Sequence, residues 1–332
     1  MYTEIKLEKG LYNLEGSSFS EALERLDKED YKGTEVEGLD AFSRQLKRFD
    51  IKVSGRNSDK VEKFFITSES ATLFPEFVAR CVKQGMSDAN IIPEVIAATT
   101  YINGIDYRSI TTVPTDENVK LMDVSEGAQI PATDIYLNQE LVRLTKKGRM
   151  LRVSYEAIKN QRLDLFAVTL RQIGIAIANE QLSEALTLII DGRGSVPAAE
   201  EYTIAGASLA YSDLVTFWSK FDDLNLTTLL VSPVVMAQIL NLDEVKDTVS
   251  GDYMTTGRIT LPFGATLIKT TCLDDNTIVG LDKSCALEMV VSNELTMESD
   301  KLIDRQLERT AITSTAGFSK LFVGASKVLS LS

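Results

Sequence analysis

The sequence predicts an α+β fold: an N-terminal arm, an extended β-ribbon loop, one dominant helix, and an α/β module from which the chain returns as strands. Three observations carry that expectation. Residues 164–190 keep an apolar helical period without a break until Gly192 and Gly194. Residues 107–152 hold short β-prone pieces, separated by turn residues and poor in apolar side chains before residue 135. Residues 200–292 alternate helical and strand patterns.

The first 66 residues are charge-dense. Within residues 1–63 there are 12 Lys or Arg and 14 Asp or Glu, which leaves only narrow apolar stripes. A short amphipathic helix is predicted at Phe19, Leu23 and Leu26. A second carries Leu39, Phe42, Leu46 and Phe49 at i, i+3, i+7 and i+10. Two readings of that second stripe stand side by side: an ordinary helix packed on its own domain, or a helix that docks on a partner.

Residues 67–106 hold the apolar clusters Leu73–Val78 and Ile91–Ala98. Pro75 and Pro93 interrupt them, and Gly85 and Gly104 punctuate the stretch. An arm leading into a strand near Ile92–Thr100 is expected. The ribbon follows, with strand pieces at Ser109–Val113, Val119–Val124, Ile135–Thr145 and Met150–Val153, and turn signals at Pro114, Gly127, Pro131 and Gly148. In the third piece Ile135, Leu137 and Leu141 alternate with Tyr136, Asn138 and Glu140. A long two-stranded ribbon with so little apolar surface is marginal alone, so it requires another surface.

The helix at 164–190 has Asp164 as a candidate N-cap and Gly192 as a candidate C-terminal stop. At about 1.5 Å per residue it spans about 40 Å. Leu163, Phe166, Leu170, Ile173 and Ile177 make one stripe; Leu182, Leu186 and Ile189 make another, rotated from the first. A helix apolar on more than one side is covered on more than one side. Asp191-Gly192-Arg193-Gly194 is not a phosphate loop, because its glycines follow a helix instead of opening one.

In the α/β module Ser212 is expected to cap a helix with Leu214, Phe217, Trp218 and Phe221 on its inner face. Ser232-Pro233 makes an N-cap and first turn for Val234–Leu240. Strands are expected at Leu229–Val231, Ala265–Thr271, Thr277–Leu281 and Ala286–Val291, with Asp274-Asp275-Asn276 as a solvated turn. Ala311–Thr313, Lys320–Val323 and Lys327–Leu331 return as strands.

Composition narrows function. Histidine is absent, which excludes Ser-His-Asp and Cys-His nucleophile systems and the usual zinc and iron ligand sets. Cys81, Cys272 and Cys285 are too few and too scattered for a disulfide framework and read as small buried hydrophobes. A net charge of −13 makes a poor general nucleic-acid binder. No apolar run reaches the roughly 18 residues of a membrane span, and Met1–Gly10 lacks a secretory signal pattern. The expectation is a non-enzyme with no cofactor, no metal and no membrane.

The order of arm, ribbon, long helix, inserted α/β module and returning strand resembles the major capsid proteins of tailed bacteriophages, the Hong Kong 97-type fold. Leu73-Phe74-Pro75-Glu76-Phe77-Val78 resembles the segment before their first domain strand. Glu126-Gly127-Ala128-Gln129-Ile130-Pro131 resembles the "EG-x-x-IP" signature of their extended loop, and Val153-Ser154-Tyr155-Glu156-Ala157-Ile158 the "VS-x-E-x-L" lead into their spine helix. Leu229-Leu230-Val231-Ser232-Pro233 and Leu261-Pro262-Phe263-Gly264-Ala265 are similar to axial-domain phrases, the second with its order altered. The resemblance covers residues 67–332.

That resemblance implies a domain plan. Residues 1–66 are an N-terminal extension with a scaffold-like, assembly-time role, docking through Leu39, Phe42, Leu46 and Phe49. Residues 67–106 are the arm and start of the peripheral domain, 107–152 the extended loop, and 153–199 the peripheral domain with its spine helix. Residues 200–292 are the axial domain, and 293–332 the return strands of the peripheral domain with a C-terminal axial segment. It implies homo-pentamers and homo-hexamers closing an icosahedral shell around double-stranded DNA held without sequence-specific contacts. The protein is then made in the host cytoplasm and kept in the virion, with portal, scaffold or decoration proteins as further candidate partners. Lys120, Arg143, Lys146, Lys147, Arg149 and Arg152 are the candidate inter-subunit contacts. Residues 134–160 carry six basic and three acidic side chains, a local +3 within a chain of −13 that suits an acidic neighbour. Some relatives make a Lys–Asn cross-link beside an acidic catalyst, and Lys120 lies in the loop where such a lysine would stand, with no matching Asn or Glu identified by motif. An encapsulin-type compartment around a cargo enzyme and a histidine-free α/β enzyme are the alternatives.

Overall fold

The computed structural model describes residues 5–13, 18–27, 31–111, 123–127, 130, 136–137, 141–154, 156, 160–194, 196–204, 206, 208–221, 224–246, 259–302 and 307–331. Its helices are α1 (Phe19–Leu26), α2 (Ala41–Arg48), α3 (Ser68–Ala71), α4 (Phe74–Asp88), α5 (Leu163–Asp191), α6 (Tyr211–Trp218) and α7 (Pro233–Leu240). Its strands are β1 (Ile96–Tyr101), β2 (Ile110–Thr111), β3 (Tyr136–Leu137), β4 (Thr145–Ser154), β5 (Glu200–Ile204), β6 (Thr228–Val231), β7 (Ile259–Thr260), β8 (Thr266–Lys269), β9 (Thr277–Leu281), β10 (Leu287–Leu302), β11 (Leu307–Lys320) and β12 (Ser326–Leu331). The chain forms two compact units. One comprises Met1–Ala89, Lys147–Ile177 and Leu295–Ser314; the other comprises Asn90–Lys146, Ala178–Glu294 and Thr315–Ser332. Helix α5 and strands β4, β10 and β11 each contribute to both.

In the first unit the N-terminal segment is part of the core. Ser18 and Glu21 form a reciprocal capping box that starts α1, and the Asp40 carboxylate accepts from Ser43 N to start α2. Phe19, Leu23, Phe42 and Leu46 pack with Phe64, Leu73, Phe74, Phe77, Leu163, Phe166 and Leu170. Polar contacts fix the same arrangement. Arg44 Nε lies 2.6 Å from Asp27 Oδ2, and the Tyr31 hydroxyl donates to Asp27 at 2.6 Å. Arg80 of α4 pairs with Asp40 at 2.5 Å and with Glu76 at 2.9 Å. Val61 N donates to Gln161 O and Leu163 N to Asp59 O, which joins the segment to the start of α5.

Pro75, expected to interrupt, instead sits in the opening turn of the 15-residue α4, where its missing N–H is not needed. Gly85 does not punctuate; it lies inside α4, where that helix crosses α5 at Gly174. Helix α5 begins at Leu163, one residue before the expected start, so Asp164 belongs to its first turn. By length and composition α5 is apolar enough to cross a membrane, against the expectation that no segment would be. Its two stripes are taken up by protein, Leu163, Phe166 and Leu170 in the first unit's core and Leu182, Leu186 and Ile189 in the second's, while Leu165 and Val168 are exposed.

The second unit is built on a six-stranded mixed sheet of order β5-β12-β9-β6-β8-β7. Its central strands β6, β9 and β12 are buried on both faces. Leu230, Val279 and Val328 pack with Leu182, Leu186 and Ile189 of α5. Leu229, Val231, Ile278 and Leu329 face the other way, onto Leu214 and Phe217 of α6 and Val235 and Ile239 of α7. This period of two places each strand's neighbours in different helical layers. Ser232 Oγ accepts from Val235 N, and Pro233 opens α7. Gly192 stops α5 at φ +68, the left-handed region a side chain disfavours.

Two expectations in this unit fail. Ser212 is inside α6, whose start is held by the Asp213 carboxylate accepting from Ala210 N. Trp218 is 45% exposed instead of core, because the helix ends there and Phe217 takes the inward position. The returning strands are also far longer than expected: β10 runs 16 residues and β11 runs 14. They form a second sheet of order β1-β10-β11-β4. Gly148, expected in a turn, lies within β4, where an added Cβ would stand 2.8 Å from Ile312 O.

Candidate assembly surface

The ribbon leaves the sheet after β1 and stays within the second unit. Strand β1 pairs in parallel with β10, and Ile102 N still donates to Val291 O at 3.0 Å. Gly104 then adopts φ +138. Tyr107 O accepts from Val142 N at 2.8 Å, and β2 pairs antiparallel with β3, Ile110 opposite Leu137. Residues 107–111 are thus the outgoing leg of a ribbon, and residues 136–137 and 141–142 belong to its returning leg.

Two nearly buried carboxylates hold the root. Glu288 on β10 accepts hydrogen bonds from the hydroxyls of Thr100, Tyr107 and Ser109. Glu184 on α5 accepts from Thr145 Oγ1 at 3.0 Å on the returning leg and lies 3.6 Å from Arg193. Burial, with the Glu288 carboxylate next to it, pushes the Tyr107 hydroxyl above the usual phenol range. The sequence reading missed both carboxylates. The only signal was the spacing of Tyr107 and Ser109, which puts them on one face of a strand; nothing tied them to a glutamate about 180 positions later.

Ile105, Ile110, Val124, Ile130 and Leu141 are exposed along the ribbon. Of the candidate contacts, Arg143, Lys146, Arg149 and Arg152 are exposed, and none of them meets a described carboxylate; Lys147 is half-buried with a partner of its own. Lys146 and Arg152 share one face of β4, and Lys147 and Arg149 the other. Lys120 lies outside the described residues, as do the expected strand residues 119–122.

The N-terminal candidates are corrected by the geometry. Phe42 and Leu46 are buried in their own unit's core, Phe49 packs against that core, and Leu39 is half-buried. The stripe is therefore occupied by its own chain. Charge density misled because Arg44 is not solvated but bonded to Asp27 within the segment, and Asp40 is bonded to Arg80 of α4.

The thiols are free, and burial pushes Cys81 up to about 11, which suppresses thiolate chemistry there. Among the described residues no group of three or more Cys, Asp or Glu is arranged to hold a metal ion.

Sequence comparison gives the family. Residues 138–315 match the model of the family described as phage capsid protein. The chain belongs to the phage capsid protein family. No curated protein matches it by sequence. Among solved structures, a virus-like particle from Pyrococcus furiosus is 14% identical with TM-score 0.53, over 76% of this chain and 98% of that one. The capsid of cyanophage P-SCSP1u is 15% identical with TM-score 0.52, over 73% and 88%. The capsid of an empty GTA particle is 12% identical with TM-score 0.53, over 71% and 88%. At these identities the likeness establishes the fold, the Hong Kong 97-type capsid fold, and with the family it makes this chain a structural capsid protein.

Proposed function

We propose that this chain is the major capsid subunit of a tailed phage, assembling with copies of itself into pentamers and hexamers that close an icosahedral shell. The observation that carries this reading is the two-stranded ribbon, along which Ile105, Ile110, Val124, Ile130 and Leu141 are exposed. A two-stranded ribbon is marginal without another surface. A neighbouring subunit supplies one. Obligate contacts of this kind bury more than about 2,000 Å² in total.

The shell encloses double-stranded DNA without sequence-specific contacts, in keeping with a net charge of −13. The subunit acts by structure and not by catalysis. It is made in the host cytoplasm, and portal or decoration proteins join the finished particle. Sizing and electron microscopy of the purified full chain test the reading. Closed particles or ring-shaped capsomers support it; a stable monomer across micromolar concentrations overturns it. Particles filled with a cargo enzyme instead of DNA point to an encapsulin-type compartment.

A further inference from the structure

The root of the ribbon contains a buried charge that forming a shell does not in itself require. Glu288 is 5% exposed. Among the described residues its side chain is met by hydroxyls alone. Thr100 Oγ1 and Tyr107 Oη donate to Oε1, the latter at 2.7 Å, and Ser109 Oγ donates to Oε2. A carboxylate withdrawn from water is costly unless hydrogen bonds replace its hydration, and bonds to a charged acceptor are about twice as strong as neutral ones.

The donors come from two places. Thr100 belongs to β1, which is already paired to β10 beside Glu288. Tyr107 and Ser109 belong to the outgoing leg, two residues apart and so on one face, immediately before β2. Between them the chain turns through Gly104 and leaves the sheet after Ile102. One side chain therefore grips the leg from inside the unit, at the point where backbone pairing with β10 has ended. Because Tyr107 O also accepts from Val142 N, the returning leg is referenced to the same point.

We propose that Glu288 is the positioning residue of the ribbon: its carboxylate latches the outgoing leg through Tyr107 and Ser109 and so fixes the register in which both legs leave the sheet. The latch is a property of the single subunit. Its consequence, that a fixed root presents the ribbon to a neighbouring copy in one orientation, rests on the shell-forming reading above.

Hydrogen exchange on the full chain before assembly tests the latch, in Tyr107→Phe, Ser109→Ala and Glu288→Gln. The first two remove one donor each from the leg and leave β10 intact; the third keeps the shape and removes the charge. Amides 105–111 and 141–143 are expected to exchange about tenfold faster, the loss of one hydrogen bond to a charged group. Amides of β9 and β12 should keep their wild-type rates. Unchanged exchange at the root in all three variants overturns the latch. Equal acceleration at the root and in β9 and β12 also overturns it, since the residue would then support the whole unit. Light scattering on the same samples reads the consequence separately. Slowed assembly supports it, and faster root exchange with a normal assembly rate overturns the docking step alone. Failure of the wild-type chain to assemble counts against the shell-forming reading and leaves the exchange result in force.

Discussion

Gly85 of α4 and Gly174 of α5 meet backbone to backbone. A Cβ added to Gly174 would stand 2.1 Å from Val82 O, and one added to Gly85 would stand 2.1 Å from Arg171 O. Only the absence of both side chains lets the two helices cross this closely. The contact sets how the 15-residue α4 lies on the first half of α5, with Phe74 and Phe166 rings 6.0 Å apart further along.

Gly174→Ala is therefore expected to destabilise the subunit by at least the 1–3 kcal/mol typical of an overpacked core, since the obstacle is helix backbone and not a flexible side chain. Gly10→Ala, where a Cβ meets nothing, is the control. Urea unfolding of unassembled chain reads both. Wild-type stability in Gly174→Ala would mean that the helices can separate without loss.

The N-terminal segment should prove inseparable from the first unit. Arg44 and Asp27 form a pair in which the Asp27 side chain is fully buried, and removing one partner of a buried pair typically costs about 3–5 kcal/mol. Asp27→Ala should lose stability on that scale. A chain of residues 61–332 should be insoluble or misfolded, because Phe64, Phe74 and Phe77 lose the cover of Phe42 and Leu46. Normal shells from the truncated chain would restore the view of the segment as a dispensable assembly aid.

How much of this was legible in the sequence depended on the range of the interaction. The spine helix could be read because Leu163, Phe166 and Leu170, then Leu182, Leu186 and Ile189, carry their signal within one segment. Ser232-Pro233 could be read because a cap acts over three residues. The fate of Phe42 and Leu46 could not, since their partners are Phe64 and the residues around Phe166, and a local stripe does not say which surface will cover it. Gly148 and Gly85 were misread for a related reason. A glycine required by a close approach looks, in one dimension, like a glycine required by a turn. Glu288 had no local signal at all, being defined by hydroxyls that the fold brings to it.

Lys320 gives a pH signature. It is buried, its ammonium donates to Ile189 O at 3.1 Å and Pro197 O at 2.7 Å near the end of α5, and desolvation pushes its pKa down to about 8. The unfolded chain holds that proton to about pH 10.4. Between these values the unfolded state binds more protons, so this residue's contribution to stability rises with pH; below about pH 8 the cost of burying the charge is fully present. Cys81, Cys285 and Tyr12, all pushed up by burial, act in the opposite direction at alkaline pH. Lys320→Met retains those three groups, so the difference between wild type and variant isolates the lysine. The wild-type urea midpoint should gain on that of Lys320→Met between about pH 8 and pH 10, within the window set by the two pKa values. A difference independent of pH would show that the lysine stays charged throughout.

The basic strand tests how neighbours find each other. Arg149 and Arg152 are exposed on β4, an edge strand of its sheet, and meet no described carboxylate. The rest of the chain is acidic enough to bring the total to −13. Between identical subunits, net repulsion slows encounter unless local patches of opposite sign face each other, and such patches act mainly on association rate and register. Arg149→Glu combined with Arg152→Glu should leave the unassembled subunit folded, because both side chains are in water. It should slow assembly at low salt by about tenfold or more, within the range over which steering changes rates. The deficit should shrink as salt is raised, since the screening length falls from about 10 Å at 0.1 M to about 3 Å at 1 M. Time-resolved light scattering at several salt concentrations measures both effects. A deficit of the same size at every salt concentration would assign the arginines to a direct, desolvated contact. Equal rates at every concentration would remove Arg149 and Arg152 from the assembly surface and leave the exposed apolar residues of the ribbon and Arg143 as candidates.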